Sequence, residues 1–236
     1  KDLRALPNAI LKVFTTVYDS VDAGYWPAHL AAAEFLLSHD DEKEGGKELA
    51  AANAGNPKYE PTGVLMGLMA IGKWNFDGAD KIIAAIRATN PDSVAADLLE
   101  CRNLLQQRRP KDAMAVIQRV LQKQPKNVEA MGLLASVYAL QLKDEQMAST
   151  LKQVDLMYPG NASAYLDVAE QLAAMRQYPR AAAKYKVAVE RAPWWTSARN
   201  GLGLLYTQSG DEDLARTELE AAKQIDPFNK KTHNYL

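Results

Sequence analysis

Apolar and polar residues along this chain follow the spacing of α-helices, and the helical pattern itself recurs. In repeats of 34 residues counted from Trp26, the eighth position is always small: Ala33, Gly67, Cys101, Ala135, Ala169 and Gly203. The twentieth is small in five of six repeats: Gly45, Ala79, Ala113, Met147, Ala181 and Ala215. The twenty-fourth is large: Leu49, Ile83, Ile117, Leu151, Tyr185 and Leu219. Small residues facing large ones let two helices cross closely, so each repeat is predicted to be a helical hairpin.

Prolines spaced 34 residues apart mark the end of each repeat. They are Pro57, Pro91, Pro125, Pro159, Pro193 and Pro227. A period held this strictly is typical of a repeat array, in which a single hairpin cannot bury its apolar faces alone and stacks on its neighbour. The sequence therefore predicts an all-α fold stabilised largely by contacts between adjacent repeats.

The last repeat carries residues that identify a family. Its matching positions are Leu202, Gly203, Tyr206, Ala215, Leu219, Ala222 and Pro227. They fit the tetratricopeptide pattern W-x2-L-G-x2-Y, then A-x3-F, then P. The chain therefore resembles a tetratricopeptide repeat (TPR) protein. The resemblance implies a right-handed superhelical solenoid of helix-turn-helix hairpins, whose inner wall is formed by the first helix of each pair and binds peptides or helices.

The repeat period also predicts the domain organisation. Six tandem repeats are expected at residues 26–59, 60–93, 94–127, 128–161, 162–195 and 196–229. Residues 1–25 are expected to contain an amphipathic helix that caps the array or is the second helix of an earlier repeat. Residues 230–236 restart the pattern, which predicts a truncated or capping helix. With Lys1 in first place, this indicates a segment excised from a longer protein.

The resemblance assigns the inner wall to a few positions of each first helix. The inner-wall set predicted to contact a partner is Leu30, Glu34, Val64, Leu68, Ile71, Leu98, Arg102, Leu105, Ser136, Leu166, Glu170, Asn200 and Leu204. One interpretation is an apolar groove for an amphipathic helix or extended peptide, with Arg102 and Glu170 fixing its direction. The other is that some of these leucines belong to the core, because their positions lie beside the packed face.

Charge and hydropathy disfavour two classes of partner. The chain has 28 basic and 29 acidic residues and no basic run longer than a pair, so nucleic acid is not expected as a partner. No uninterrupted apolar stretch approaches the roughly 20 residues that span a bilayer, so no transmembrane helix is expected. The compartment is not specified by these features.

The residues that usually carry catalysis or metal binding are scattered. His29, His39 and His233 do not form a His-Glu-x-x-His motif, and the chain has neither a phosphate-binding loop nor a Gly-x-Ser-x-Gly elbow. We therefore expect no catalytic residue, no metal ligand and no cofactor. Cys101, the single cysteine, is expected to be a small, buried and inert thiol.

Two further features depart from the pattern. Asp97 and Glu100 occupy the fourth and seventh positions of the third repeat, the seventh usually being leucine. Either this repeat is locally opened and Glu100 pairs with an arginine such as Arg102 or Arg108, or the two carboxylates form a functional acidic spot. Tryptophans at repeat starts are expected to cover the hairpin end of the preceding repeat, the alternative being a partner hot spot. They are Trp26, Trp194 and Trp195.

These observations favour a non-catalytic scaffold that binds another protein, or another part of the same polypeptide, along the inner wall. The alternative is the non-catalytic repeat region of a larger multidomain enzyme. The segment from Ile225 to Asn229 and the following short helix are similar to the exit of repeat arrays that precede a zinc-peptidase domain in some large bacterial proteins. Self-association through the apolar end near Leu236 is a third expectation.

Overall fold

The computed structural model describes residues 6–236, and within them the regular structure is entirely helical. The helices are α1 (Leu6–Ser20), α2 (Trp26–Ser38), α3 (Glu42–Gly55), α4 (Glu60–Gly72), α5 (Phe76–Thr89), α6 (Val94–Gln106), α7 (Pro110–Lys123), α8 (Val128–Leu140), α9 (Asp144–Met157), α10 (Ser163–Ala174), α11 (Tyr178–Arg191), α12 (Thr196–Ser209), α13 (Glu212–Ile225) and α14 (Lys230–Tyr235). The expected all-α fold of helical hairpins is confirmed. Of the expected N-terminal segment 1–25, residues 1–5 lie outside the described part.

Side-chain caps and prolines explain where many of these helices begin. The Ser93 hydroxyl accepts a hydrogen bond from the Ala96 backbone N–H at 2.9 Å, and the Asn127 side chain accepts one from Ala130 at 2.9 Å. Each cap supplies a partner for an N–H that has none within the first helical turn. Pro110 stands in the first turn of α7, where its missing N–H costs no helical hydrogen bond.

Each hairpin turn contains one residue in the left-handed region of backbone conformation. These residues are 34 positions apart, with φ between 55° and 84°: Asp40, Trp74, Arg108, Leu142, Arg176 and Gly210. Glycine adopts this conformation freely, whereas a residue with a Cβ atom pays about 1–2 kcal/mol for it. Five of the six hairpins therefore carry a strained residue at the turn.

Replacing Leu142 with glycine is expected to stabilise the protein. Leu142 is 61% exposed, so its removal loses little buried surface while relieving the strain at φ 58°. Because glycine also makes the unfolded chain more flexible, we expect a net gain of about 0.5 kcal/mol, or about 1–2 °C in Tm. Thermal unfolding followed by circular dichroism measures it. The reverse change, Gly210→Ala, should lower Tm, and a Leu142→Gly variant that melts below the wild type would contradict the explanation.

The close crossing of the two helices of a hairpin is visible at the small residues. A Cβ atom on Gly203 would lie 2.7 Å from Cγ of Leu219, and one on Gly45 would lie 2.9 Å from Cγ of Leu37. Cys101, in the same eighth position as Gly203, is fully buried. The expected packing of small against large residues is confirmed at these positions.

The described residues form two compact units. Unit one contains the residues up to Asp92 together with Asp226–Asn234, and unit two contains Ser93–Ile225 with Tyr235–Leu236. In unit one, α1 lies on α2, with Tyr18 stacked on the His29 ring at 3.9 Å between centroids. The core beneath it is built from Leu30, Ala33, Leu49 and Ala52.

The C-terminal segment of unit one is held at the turn between α2 and α3. Asn229 is fully buried, and its amide nitrogen donates to Asp40 Oδ2 at 2.9 Å. The backbone N–H of Lys230 donates to the His39 carbonyl at 2.9 Å, and Lys230 Nζ lies 3.4 Å from Asp41 Oδ2. Residues more than 180 positions apart in the sequence thus share one turn, as the separation of Asp40 and Asn229 shows.

The apolar clusters of unit two include one around α6 to α8 and one around α8 to α13. The first includes Ile117, Val120 and Leu133, which are almost completely buried. The second includes the residues Leu151, Val154, Val168, Leu172 and Leu202. First and second helices both contribute to these clusters. Large apolar side chains outside them, such as Leu142, Leu156 and Trp194, are exposed.

Candidate functional site

In unit one, the inner-wall set presents an accessible apolar side chain on α4. Leu68 is 39% exposed, and Val64, one helical turn earlier, is partly exposed. Glu34 is exposed at the matching position of α2, whereas Leu30 and Ile71 are buried. A partner that reaches this unit would therefore meet Leu68 and Val64 as its apolar contacts.

In unit two, most of the inner-wall set is packed inside the unit. The buried members are Leu98, Leu105, Ser136, Leu166 and Asn200. The leucines belong to the apolar clusters of this unit, which agrees with their interpretation as core. The accessible members are Glu170, which is exposed, and Arg102 and Leu204, which are partly exposed.

Arg102 is bound within the protein by carboxylates from two other first helices. Its Nη1 donates to Asp167 Oδ1 on α10 at 2.9 Å, and its Nη2 donates to Glu129 Oε1 on α8 at 3.1 Å. The Arg102 side chain is 27% exposed and that of Asp167 is 12% exposed. The cluster of Arg102, Glu129 and Asp167 therefore joins three successive repeats, and most of the guanidinium's donors face these acceptors.

Burial shapes the electrostatics of this cluster. It raises the pKa of the Asp167 carboxyl above its ordinary value, although Arg102 acts in the opposite direction. For Arg102, burial disfavours the charge, but Asp167 and Glu129 outweigh it and raise the pKa of the guanidinium. The guanidinium of Arg102 thus stabilises the charged form of the buried Asp167 side chain.

A glycine allows the helices of this cluster to approach each other. A Cβ atom on Gly132 of α8 would lie 2.9 Å from Asp167 Oδ2 and 3.1 Å from Cα of Ala164 on α10. Gly132 occupies the fifth position of its repeat, where three other repeats carry leucine. The close contact between α8 and α10 explains why a larger residue is missing here.

The acidic pair of the third repeat has a partner that the sequence analysis missed. Arg119 of α7 donates from Nη2 to Asp97 Oδ1 at 3.3 Å and to Glu100 Oε2 at 3.4 Å. The expected pairing of Glu100 with an arginine is confirmed, with Arg119 as the partner. The two arginines named in the sequence analysis make other contacts: Arg102 binds the cluster described above, and Arg108 donates to the Ala174 carbonyl at 3.0 Å. The sequence analysis did not identify Arg119 because it lies on α7, the second helix of the hairpin, whereas the candidates considered were arginines close to Glu100 in the sequence.

The tryptophans differ in their surroundings. Trp26 covers Gly55, where a Cβ atom would lie 2.5 Å from Trp26 Cβ, and its ring is 4.8 Å from that of Tyr59. It therefore packs on the end of its own hairpin. Trp195 packs against the core of unit two, whereas Trp194 is 70% exposed.

In unit one, Tyr18 and His29 share Glu48 as a partner. The Tyr18 hydroxyl donates to Glu48 Oε1 at 3.1 Å, and His29 Nδ1 lies 2.7 Å from Glu48 Oε2. Burial, and then the Glu48 charge, raise the pKa of Tyr18 to about 12. Across the described residues, no three or more His, Cys, Asp or Glu side chains converge as a metal site would require. Cys101 is buried as expected, and burial raises its pKa to about 12.

The sequence matches a family model described as a tetratricopeptide repeat, over residues 98–149 and 166–230. The chain is a tetratricopeptide repeat protein. TPR domains bind protein partners and are generally non-catalytic scaffolds, and this fold suggests such a role here. Among curated proteins, no sequence matches this TPR chain.

Solved structures share the TPR fold at low sequence identity. A tetratricopeptide repeat protein from Parabacteroides merdae has a TM-score of 0.69 and 15% identity, covering 86% of this chain and 78% of its own. One chain of the APC/C hetero-tetramer Cut9-Hcn1 gives a TM-score of 0.61 and 12% identity, and the match covers 98% of this chain and 45% of that one. Pseudomonas aeruginosa PilF gives a TM-score of 0.53 and 15% identity, and the match covers 89% of this chain and 96% of PilF.

A membrane-spanning helix is not among the elements of this TPR protein that the structure describes. No helix between residues 6 and 236 combines the length and the apolar character that crossing a bilayer requires.

Proposed function

We propose that this TPR protein is a non-catalytic scaffold that binds a peptide or a helix of another protein along the first-helix face of unit one. The observation that carries the proposal is the exposed Leu68, one helical turn from the partly exposed Val64 on α4. An apolar pair at this spacing matches the i, i+4 anchors with which amphipathic helices and grooves recognise each other.

Charge next to this apolar pair supports a directional contact. Glu34 is exposed on α2 at the position equivalent to Leu68, so a partner with a basic residue beside its apolar anchor would be favoured. Arg102 is a poor candidate for this role because its donors already face Glu129 and Asp167. In unit two, Glu170 is an accessible charged member of the inner-wall set.

Replacing Leu68 with aspartate should weaken partner binding while leaving the fold intact. Loss of an apolar anchor and burial of a charge at an interface cost about 2 kcal/mol or more, which corresponds to about a 30-fold rise in Kd. The immobilised protein would be used to recover partners from cell extract. Calorimetry with the purified partner then gives the Kd of each variant.

The matched control is Leu142→Asp, which places the same charge at an exposed leucine outside the inner-wall set. The control should bind like the wild type. If Leu68→Asp retains the wild-type Kd while its circular dichroism spectrum is unchanged, the proposed binding face on α4 is wrong.

A further inference from the structure

The fourth position of each repeat normally holds a side chain that packs beside a second helix. His29 contacts Glu48 at 2.7 Å, and Arg199 donates to Glu218 at 2.7 Å. Asp97 accepts from Arg119, and Met131 is buried. Only the second repeat lacks a side chain here, because its fourth residue is Gly63.

A cavity of about 400 Å³ lies beside Gly63, between the second helices α3 and α5 and over the start of α4. Its floor and walls include apolar groups of Met66, Ile82 and Ile86, and Asn53 and Thr89 line it from the two second helices. A volume of this size is within the range of protein ligand sites. None of the inner-wall set lines it.

The fifth repeat shows which side chain fits this location. Tyr165 is the fourth residue of that repeat and is buried, with 8% of its surface exposed. Its hydroxyl donates to Asp155 Oδ2 on the preceding second helix at 2.7 Å. The Arg191 guanidinium lies 4.2 Å from the centre of the Tyr165 ring and also donates to Asp155. A tyrosine is thus held from both sides by second helices.

The cavity beside Gly63 is the equivalent location three repeats earlier. Subtracting three repeats of 34 residues, or 102, maps Tyr165 to Gly63 and Asp155 to Asn53. The same subtraction maps Arg191 to Thr89. Gly63, Asn53 and Thr89 all line the cavity, so it retains a hydrogen-bond acceptor where Asp155 stands. The space directly next to Gly63 is taken by Ile86, which stands where the fifth repeat has Ala188, since a Cβ atom on Gly63 would lie 3.0 Å from Ile86 Cγ1. A tyrosine ring that enters from outside would therefore lie over Ile86 in the open part of the cavity.

The rim of the cavity is more basic than acidic. Lys58 and Lys81 line it together with a single carboxylate, Glu60. Glu60 already accepts a hydrogen bond from the Asn90 side chain at 3.0 Å. The two ammonium groups therefore favour an occupant whose flanking residues are acidic.

We propose that the cavity beside Gly63 binds a tyrosine side chain presented by an acidic segment of a partner protein. The ring packs against Met66, Ile82 and Ile86, and the hydroxyl donates to the Asn53 side-chain oxygen. Acidic neighbours of the tyrosine lie near Lys58 and Lys81. Since this surface shares no residue with the inner-wall set, it is a second binding site that does not depend on the face around Leu68.

The test uses the whole chain and the peptide acetyl-Glu-Asp-Tyr-Glu-Asp-amide, with a phenylalanine peptide of otherwise identical sequence for comparison. Titration followed by ¹⁵N–¹H NMR should give saturable shifts at Asn53, Gly63 and Ala85. The phenylalanine peptide should bind about fivefold more weakly, because it cannot donate to Asn53. In Asn53→Leu, the two peptides should bind with equal affinity, because this variant has no acceptor for the tyrosine hydroxyl. The protein and peptide substitutions thus form a double-mutant cycle that isolates this one hydrogen bond.

Two tryptophan variants on α5 provide a matched control. Ala85 lines the cavity and Ala84 does not, although both are exposed. Ala85→Trp should lower the affinity for the tyrosine peptide at least tenfold, whereas Ala84→Trp should leave it unchanged. The proposal is overturned if Ala85→Trp binds like the wild type, if the two peptides bind the wild type equally well, or if millimolar peptide causes no saturable shift. Loss of groove binding in Leu68→Asp has no bearing on these outcomes.

Discussion

Replacing Arg102 with methionine is expected to lower the free energy of unfolding by about 2–4 kcal/mol at neutral pH. The substitution keeps a long apolar side chain but removes the cation that faces Asp167 at 2.9 Å and Glu129 at 3.1 Å. Asp167 is then a largely buried carboxylate with no cation beside it, since its side chain is 12% exposed. The estimate lies below the full cost of breaking a buried pair because 27% of the Arg102 side chain is exposed.

The loss should shrink as the pH falls. Burial already raises the pKa of Asp167, and Arg102 opposes that rise, so removing Arg102 raises the pKa further. A folded state that binds this proton more tightly than the unfolded chain gains stability as the pH falls through the folded-state pKa of Asp167, and loses it as the pH rises. Urea unfolding of Arg102→Met should thus show a smaller deficit relative to the wild type at about pH 4.5 than at about pH 7.

A solvent-exposed ion pair offers the control for this comparison. Arg109 and Asp112 are 2.8 Å apart, and their side chains are 52% and 53% exposed. Arg109→Met should change stability by less than about 0.5 kcal/mol at either pH, because exposed pairs contribute little. If Arg102→Met is as stable as Arg109→Met at neutral pH, the cluster does not stabilise the stacking of these repeats.

Replacing Gly132 with leucine, the residue that three other repeats carry at the same position, should destabilise the protein by about 3 kcal/mol. The Cβ atom alone would meet Cα of Ala164 at 3.1 Å. That neighbour is backbone, so α8 and α10 must move apart, which also disturbs Asp167 at 2.9 Å. The substitution that a repeat consensus would favour is therefore expected to be harmful. Chemical denaturation measures the change.

Gly72→Leu is the matched control for this change. A Cβ atom on Gly72 would meet no atom within 4 Å, so leucine there should alter stability by no more than about 0.5 kcal/mol. If Gly132→Leu unfolds at the same denaturant concentration as the wild type, the close approach of α8 and α10 does not restrict the residue at this position.

Much of the fold could be predicted because packing at a helix crossing is a local steric rule. The small residue at Gly203 and the large one at Leu219 lie in one hairpin, and their spacing in the sequence follows directly from helix geometry. The strained turns were less visible. Gly210 signals a left-handed residue, but Leu142 at the equivalent position does not, because leucine rarely adopts this conformation.

The candidate site was harder to predict, because position in a repeat does not distinguish an accessible side chain from a core one. Leu68 and Ser136 both take the ninth position of their repeats, yet one is 39% exposed and the other 1%. First helices are apolar on most sides, so periodicity alone cannot assign a face. The partners of Arg102 lie two helices and four helices further along the chain, a relation that depends on how repeats stack rather than on spacing within one.

The buried state of Cys101 has a practical consequence. Its thiol is fully buried and its pKa is raised to about 12, so the reactive thiolate is scarce and shielded at neutral pH. Maleimide dyes should accordingly not label Cys101 in the folded protein. A single cysteine introduced at an exposed position, such as Ala84→Cys, would then carry a fluorophore in an otherwise wild-type background, and its fluorescence polarisation would report complex formation at nanomolar protein concentrations.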